Sequence, residues 1–263
     1  MDFIDTHSHL YLSSLQDDLE NVLQRAGLQG VNRFIVPGID LKTSRLAVDM
    51  AEKYPGIYAA VGVHPNDGLT WDDGTLDELE QLLRHERVVA VGEIGLDYYR
   101  EHTPHAVQIE ILHQQLALAA RNEKPVIIHC RQAMDDLWPI IKSWQMSLSS
   151  SMKKRPGVFH SFDSDLIIAN EIIGHHFYIG VSGPVTYKNA FERQQTIGAL
   201  PLENLVLETD APFLTPHPLR GRVNEPANIS LIAKKVAELL NLPVEKVAEM
   251  TLANAKHLFE WIG

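Results

Sequence analysis

His7 and His9 stand two residues apart at the end of a short apolar run, Met1-Asp2-Phe3-Ile4-Asp5-Thr6-His7-Ser8-His9. On an extended strand residues i and i+2 point to one face, so both imidazoles can aim at a single point, as a chelate requires. Taken alone, such a pair could equally be a polar strand end bonded to backbone or water. Further candidates stand where other apolar runs end: His64, Glu93, His129, His160 and Asp210. Imidazole and carboxylate suit divalent ions such as Zn, Mn, Mg, Ni or Fe, without choosing among them. Six candidate ligands (His7, His9, Glu93, His129, His160 and Asp210) exceed what one hydrolytic ion needs, so two ions are expected. His7, His9 and Asp210 would hold one, His129 and His160 the other, and Glu93 would bridge them at about 3.5–4 Å around a shared water or hydroxide nucleophile.

The elements that must carry these residues alternate. Strands are expected over 3–5, 33–36, 57–63, 88–94, 125–129, 157–160, 178–181 and 204–208. Helical patterns fall at 17–26, 42–53, 76–84, 106–121, 135–144 and 166–173, with late helices at 229–240 and 244–259. Eight strand-then-helix units in a chain of this length read as an α/β fold, a (β/α)8 TIM barrel in one domain spanning 1–263. All the candidate residues then sit at strand C-terminal ends, the mouth where barrel enzymes collect their catalytic groups. The best break, 146–157, contains Lys153-Lys154-Arg155. It follows a helix and precedes a strand, which puts it on the opposite face, as a solvated loop.

Composition narrows the classes. With 45% hydrophobic and 22% charged residues the chain reads as a globular protein with a sizeable core. Lys and Arg number 23 against 34 Asp and Glu, a net charge of −11 that argues against an extensive basic surface for nucleic acid or anionic membrane. No apolar run is long enough to span a bilayer. One cysteine, Cys130, allows no intramolecular disulfide, and the start carries no basic segment followed by an apolar one. A cytoplasmic enzyme is expected. The oligomeric state stays open.

Five blocks carry a resemblance: Asp5-Thr6-His7-Ser8-His9-Leu10, Gly62-Val63-His64-Pro65, Gly92-Glu93-Ile94-Gly95-Leu96-Asp97-Tyr98, Pro125-Val126-Ile127-Ile128-His129-Cys130-Arg131 and Leu207-Glu208-Thr209-Asp210-Ala211-Pro212. In this order they resemble the TatD family of metal-dependent hydrolases, among the amidohydrolase-like barrels, over nearly the whole chain. The resemblance implies a metal-dependent hydrolase, often a deoxyribonuclease trimming DNA ends, with His7, His9, Glu93, His129, His160 and Asp210 as ligands. Two blocks depart from the family pattern. His160-Ser161-Phe162-Asp163-Ser164 stands where His-Cys-Phe-Ser-Gly is common, adding a carboxylate near the mouth. Val223-Asn224-Glu225-Pro226 stands for Arg-Asn-x-Pro and removes a cation for which Arg220 and Arg222 could compensate.

The expected mechanism is hydrolysis by metal-activated water, with Asp210 taking and returning a proton and Glu93 and His64 assisting. His64 could orient substrate or an oxyanion, or be merely structural. Arg131, with Arg220, Arg222 and Lys188 on active-face loops, could clamp a DNA phosphate at the mouth. For Arg131 a salt bridge is the alternative. Glu208 could brace a ligand histidine, Asp97 and Tyr98 could line the rim or fix a turn, and Cys130 reads as packing. Three functions compete: a phosphodiesterase on nucleic acid ends, a metal-dependent ester, lactone or amide hydrolase favoured by the charge of −11 and Asp163, and a non-catalytic metal scaffold.

Overall fold

Apolar, β-branched runs without a polar face set the strands. The ten residues Val88–Asp97 are buried throughout, as in a parallel strand covered on both sides. The computed structural model describes residues 1–100 and 102–260. Along them run β1 (Phe3–Asp5), α1 (Ser13–Gln16), α2 (Leu19–Leu28), β2 (Val31–Pro37), α3 (Leu41–Lys53), β3 (Ile57–Val61), α4 (Thr75–Leu82), β4 (Val88–Asp97), α5 (His105–Arg121) and β5 (Val126–Arg131). There follow α6 (Met134–Ser147), β6 (Gly157–Phe159), α7 (Leu166–Gly174), β7 (Tyr178–Val181), α8 (Phe191–Ala199), β8 (Leu205–Leu207), α9 (Ile229–Leu240) and α10 (Val244–Phe259). The strands form an eight-stranded sheet in chain order, β1 to β8. This strand-then-helix alternation is the expected (β/α)8 fold.

Contacts divide the chain into two compact units. The first holds Met1–Val36, Ser161–Gly174 and Tyr178–His257. Within it β7 pairs β8 and β1 pairs β2, both in parallel. β8 returns beside β1: the Thr6 amide donates to Leu207 O at 3.1 Å, and Ser8 bridges Ala211 in parallel. α9 packs on β8 and α7 on β7, with Ile232, Ala233 and Val236 among the fully buried residues.

The second unit is built on Pro37–His160 with His175–Phe177. Here β3, β4, β5 and β6 pair successively in parallel, and α3 covers β3 while α5 covers β4. Asp40 and Thr43 form a reciprocal capping box that starts α3. The register of β4 on β5 shifts between Val91 and Ile94, around Glu93, the kind of irregularity that re-aims a side chain. Gly95 has φ +150, and a Cβ there would collide with the His129 carbonyl. Only glycine allows the two strands to lie so close.

Three local readings change. α8 was not expected, because only Thr196 and Ile197 of its nine residues are buried and its apolar signal is weak. β4 and β5 run on to Asp97 and Arg131, past the ends at 94 and 129, since polar residues extend the ladder where their side chains have partners. Arg155 is not in a solvated loop: it is 8% exposed and its Nε donates to Glu260 Oε1 at 2.7 Å. No helix among the described residues is long and apolar enough to cross a membrane.

Candidate metal centre

In the first unit the chain leaves β1 into His7 and His9, and leaves β8 into Asp210. A buried carboxylate ties the two exits together: Asp5 Oδ1 accepts from the His7 amide at 3.3 Å and the Thr209 amide at 2.9 Å, while Oδ2 lies 2.5 Å from Thr209 Oγ1. Burial pushes the Asp5 carboxyl up to about 8, with the bonds to Thr209 and His7 opposing it. The Asp210 amide donates to His7 O at 2.8 Å and the His9 amide to Ala211 O at 2.7 Å. Asp210 itself has φ 56, a left-handed conformation held by these bonds. His9 Nδ1 lies 2.9 Å from Tyr11 Oη, so Nε2 is the nitrogen turned to its neighbours. His7 Nε2 and His9 Nε2 are 3.3 Å apart, and Asp210 Oδ1 lies 3.7 and 3.4 Å from them.

In the second unit Glu93 Oε1 is the hub. It lies 2.9 Å from His129 Nδ1, 3.5 Å from His160 Nε2 and 3.6 Å from His64 Nε2. The far nitrogen of His129, Nε2, lies 3.1 Å from Asp97 Oδ2. Burial alone would lower the His129 pKa, but the bonds to Asp97 and Glu93 raise it. Burial would likewise raise Asp97, yet His129, the Arg100 amide and Asn66 hold its carboxyl well below the usual range. His64 Nδ1 accepts from the Asn66 amide at 3.1 Å, which places its ring proton on Nε2.

Both sets fit divalent ions. Bonds of 2.0–2.1 Å in a tetrahedron put ligand atoms about 3.3 Å apart, close to the 3.3–3.7 Å within the first set. Imidazole nitrogens and a carboxylate oxygen at that spacing could hold a cation. His64, Glu93 and His129 converge in the same way.

Of the remaining candidates, Arg131 is exposed at the end of β5 and Arg220 is exposed on a loop. Arg131 stacks over Tyr99 at 4.3 Å and Arg220 over Tyr187 at 4.1 Å, so Arg131 has an aromatic partner in addition to the alternatives expected from sequence. Arg222 and Lys188 are exposed. Asp163 is not a bare carboxylate at the mouth: Arg193 pairs with it at 2.5 Å. Glu208 Oε1 accepts from the amide of Ser161, the residue after His160, at 2.5 Å. Burial pushes the Cys130 thiol up to about 12, so it is neutral at ordinary pH, as packing requires. Sequence reasoning gave Asp97 no firm role and passed over Tyr11 and Phe213. Asp97 follows Glu93 by four on β4, a spacing that shares a strand face and could have exposed it; Tyr11, in the turn after His9, carried no such signal.

A family model described as TatD related DNase matches residues 4–260. The uncharacterized metal-dependent hydrolase YabD of Bacillus subtilis is 40% identical, over 97% of this chain and 98% of its own length. The 3'-5' ssDNA/RNA exonuclease TatD of Klebsiella pneumoniae is 34% identical, with 97% of each chain covered. The crystal structure of YjjV, a TatD homologue from Escherichia coli, aligns with a TM-score of 0.92 at 35% identity, covering 99% of this chain and 98% of that one.

Proposed function

Because the chain belongs to the TatD family of metal-dependent hydrolases, we propose that it is a cytoplasmic nuclease hydrolysing phosphodiester bonds at single-stranded nucleic acid ends. Residues 1–263 act as one domain with two divalent ions. The observation carrying this reading is the pair of clusters: His7, His9 and Asp210 within 3.3–3.7 Å of one another, and His129 and His160 at 2.9 and 3.5 Å from Glu93 Oε1. Nucleic acid is favoured by the Klebsiella relative, a 3'-5' ssDNA/RNA exonuclease, and by the exposed Arg131, Arg220, Arg222 and Lys188.

Bound divalent ions would lower the pKa of a water and neutralise charge on the scissile group. The chain's own residues do the rest. Asp210, 9% exposed, accepts the proton of the attacking water and returns it to the leaving oxygen. His64, with its proton on Nε2, donates to a substrate oxygen. Glu93 would supply negative charge to hold an ion beside His129 and His160, and Asp97 keeps the His129 proton on Nε2 so that Nδ1 is free to ligate. Arg131 and Arg220 present planar forks to phosphate.

The second reading, a hydrolase of small esters, lactones or amides, draws on the net charge of −11. The pairing of Asp163 with Arg193 removes the other feature that favoured it. Metal-reconstituted protein should be assayed on single-stranded DNA, duplex DNA, RNA, and ester and lactone panels, with chelator controls. Chelator-sensitive shortening of single strands from one end is expected. Turnover confined to the small substrates would overturn the nuclease assignment.

A further inference from the structure

Phe213 is an aromatic residue that does not pack. It stands three residues after Asp210, its amide donating to the Asp210 carbonyl at 2.8 Å, and yet it is 52% exposed. Its ring centroid lies 6.0 Å from that of His9, edge to face at 67°. A flat apolar surface is therefore held in water beside the ligand set of His7, His9 and Asp210.

The turn beneath it is braced. Asn224, fully buried, donates through Nδ2 to Thr209 O at 2.8 Å and to Phe213 O at 2.6 Å. Its own amide donates to Pro212 O at 3.0 Å, and its Oδ1 accepts from Asn228 Nδ2 at 2.9 Å. A ring on so firm a base loses little freedom when something lies against it. In the same unit Tyr187 lies under the Arg220 guanidinium at 4.1 Å. The loop that carries Tyr187 touches the loop that carries Phe213: the His217 amide donates to Thr186 Oγ1, next to Tyr187, at 2.8 Å.

We infer that Phe213 is the stacking platform for the nucleobase flanking the scissile phosphate, and that Arg220, stiffened by Tyr187, receives the adjacent backbone phosphate. This inference rests on the nuclease reading and adds its means of selection. A guanidinium accepts any phosphate, whereas an exposed aromatic face adds binding only for a substrate with an unstacked ring to lay on it. Every base has such a face, so the platform is tolerant of sequence and favours single strands over duplex, in which the bases are already stacked.

The test compares the wild type with Phe213→Ala, Phe213→Tyr and Phe213→Trp on single-stranded oligonucleotides that are intact or carry one abasic site at the terminal or penultimate position. Binding is read separately by quenching of 2-aminopurine placed at those positions. Phe213→Ala should lower kcat/KM on the intact strand roughly 5- to 150-fold, the span expected when one stacking side chain is truncated. The loss should shrink to within about threefold on one of the abasic strands, and Tyr and Trp should recover most of the activity. The 2-aminopurine quenching should disappear in Phe213→Ala and persist in the aromatic variants. A loss of equal size on intact and on both abasic strands would make Phe213 a structural residue, and no loss on any strand would leave it outside the site; either result overturns the inference alone. A wild type that neither shortens nor quenches any oligonucleotide overturns the nuclease reading, and the platform with it.

Discussion

Replacing Asp97 with asparagine changes one atom in a residue that is 1% exposed. The native carboxylate serves four donors. Oδ1 accepts from the amides of Tyr99 at 2.9 Å and Arg100 at 3.0 Å, and Oδ2 accepts from Asn66 Nδ2 at 3.0 Å and lies 3.1 Å from His129 Nε2. Asparagine has one acceptor and one donor to offer. If its oxygen stays with the backbone amides, its NH2 faces His129 Nε2, and the imidazole proton moves to Nδ1, the nitrogen facing Glu93 Oε1 at 2.9 Å. A protonated Nδ1 cannot bind a cation. If the amide turns over, its NH2 opposes two buried N–H groups, at a cost of about 1–3 kcal/mol for each group left without an acceptor. Both routes weaken the second ligand set and leave the first untouched. Loss of such an orienting carboxylate costs about 10- to 100-fold in metal affinity, or about 1.4–2.8 kcal/mol. Titration of apoprotein against a chromophoric chelator should resolve one ion bound as in the wild type and one weakened by that factor. Two ions bound with unchanged affinity would refute the tautomer argument and the use of His129 Nδ1 as a ligand.

Glu93→Gln should retain the fold but lose at least one of two ions and most turnover, because the neutral amide no longer offsets the cations; metal analysis showing both ions retained with near-native turnover would remove Glu93 from the mechanism. Chelation should lower Tm as well as abolish activity: an ion at 100 times its Kd adds about 2.7 kcal/mol, and at about 2–4 °C per kcal/mol its removal should cost about 5–10 °C by calorimetry. Arg131→Ala or Arg220→Ala should raise KM for oligonucleotides and flatten the salt dependence, measured from 50 to 200 mM salt. Lys153→Ala with Lys154→Ala should change both by less than about twofold. Arg155 is left out of that control because its ion pair with Glu260 contributes to stability.

The fold was legible because its signals are local and redundant. The run Val88-Val89-Ala90-Val91 announces a buried strand without reference to any other residue, and the capping pair of Asp40 and Thr43 announces the helix after β2. α8 failed because its polar surface and Gly198 blur the period, and it is held by neighbours the sequence does not name. The clustered histidines were legible by type and position at strand ends. Their supporting residues were harder. Asp97 shares the strand alternation with Glu93, but its tie to His129 crosses 32 positions and depends on how β4 registers on β5. Phe213 carried no signal, since one aromatic residue after a proline is ordinary until its exposure and its distance from His9 are measured. The charge at Asp163 was judged from the residue alone, and its neutralisation by Arg193, thirty positions along, was invisible for the same reason.

The first strand of this protein finds its neighbour in the last. Thr6 and Leu207 are 201 positions apart and Asp5 and Thr209 are 204 apart, yet these pairs are directly bonded. Contacts of such sequence separation are slow to form, since the whole intervening chain must be ordered or looped out before they can close. On a ribosome the consequence is a matter of timing. At about 5–20 residues per second, His7 and His9 wait roughly 10–40 s for Asp210 to be synthesised. Until then they are two imidazoles beyond a strand that has only β2 to pair with, with no Asp210 beside them and no Thr209 to hold Asp5. An ion held by this set would therefore load late in the life of the chain, a seal on a finished fold and not a seed for it.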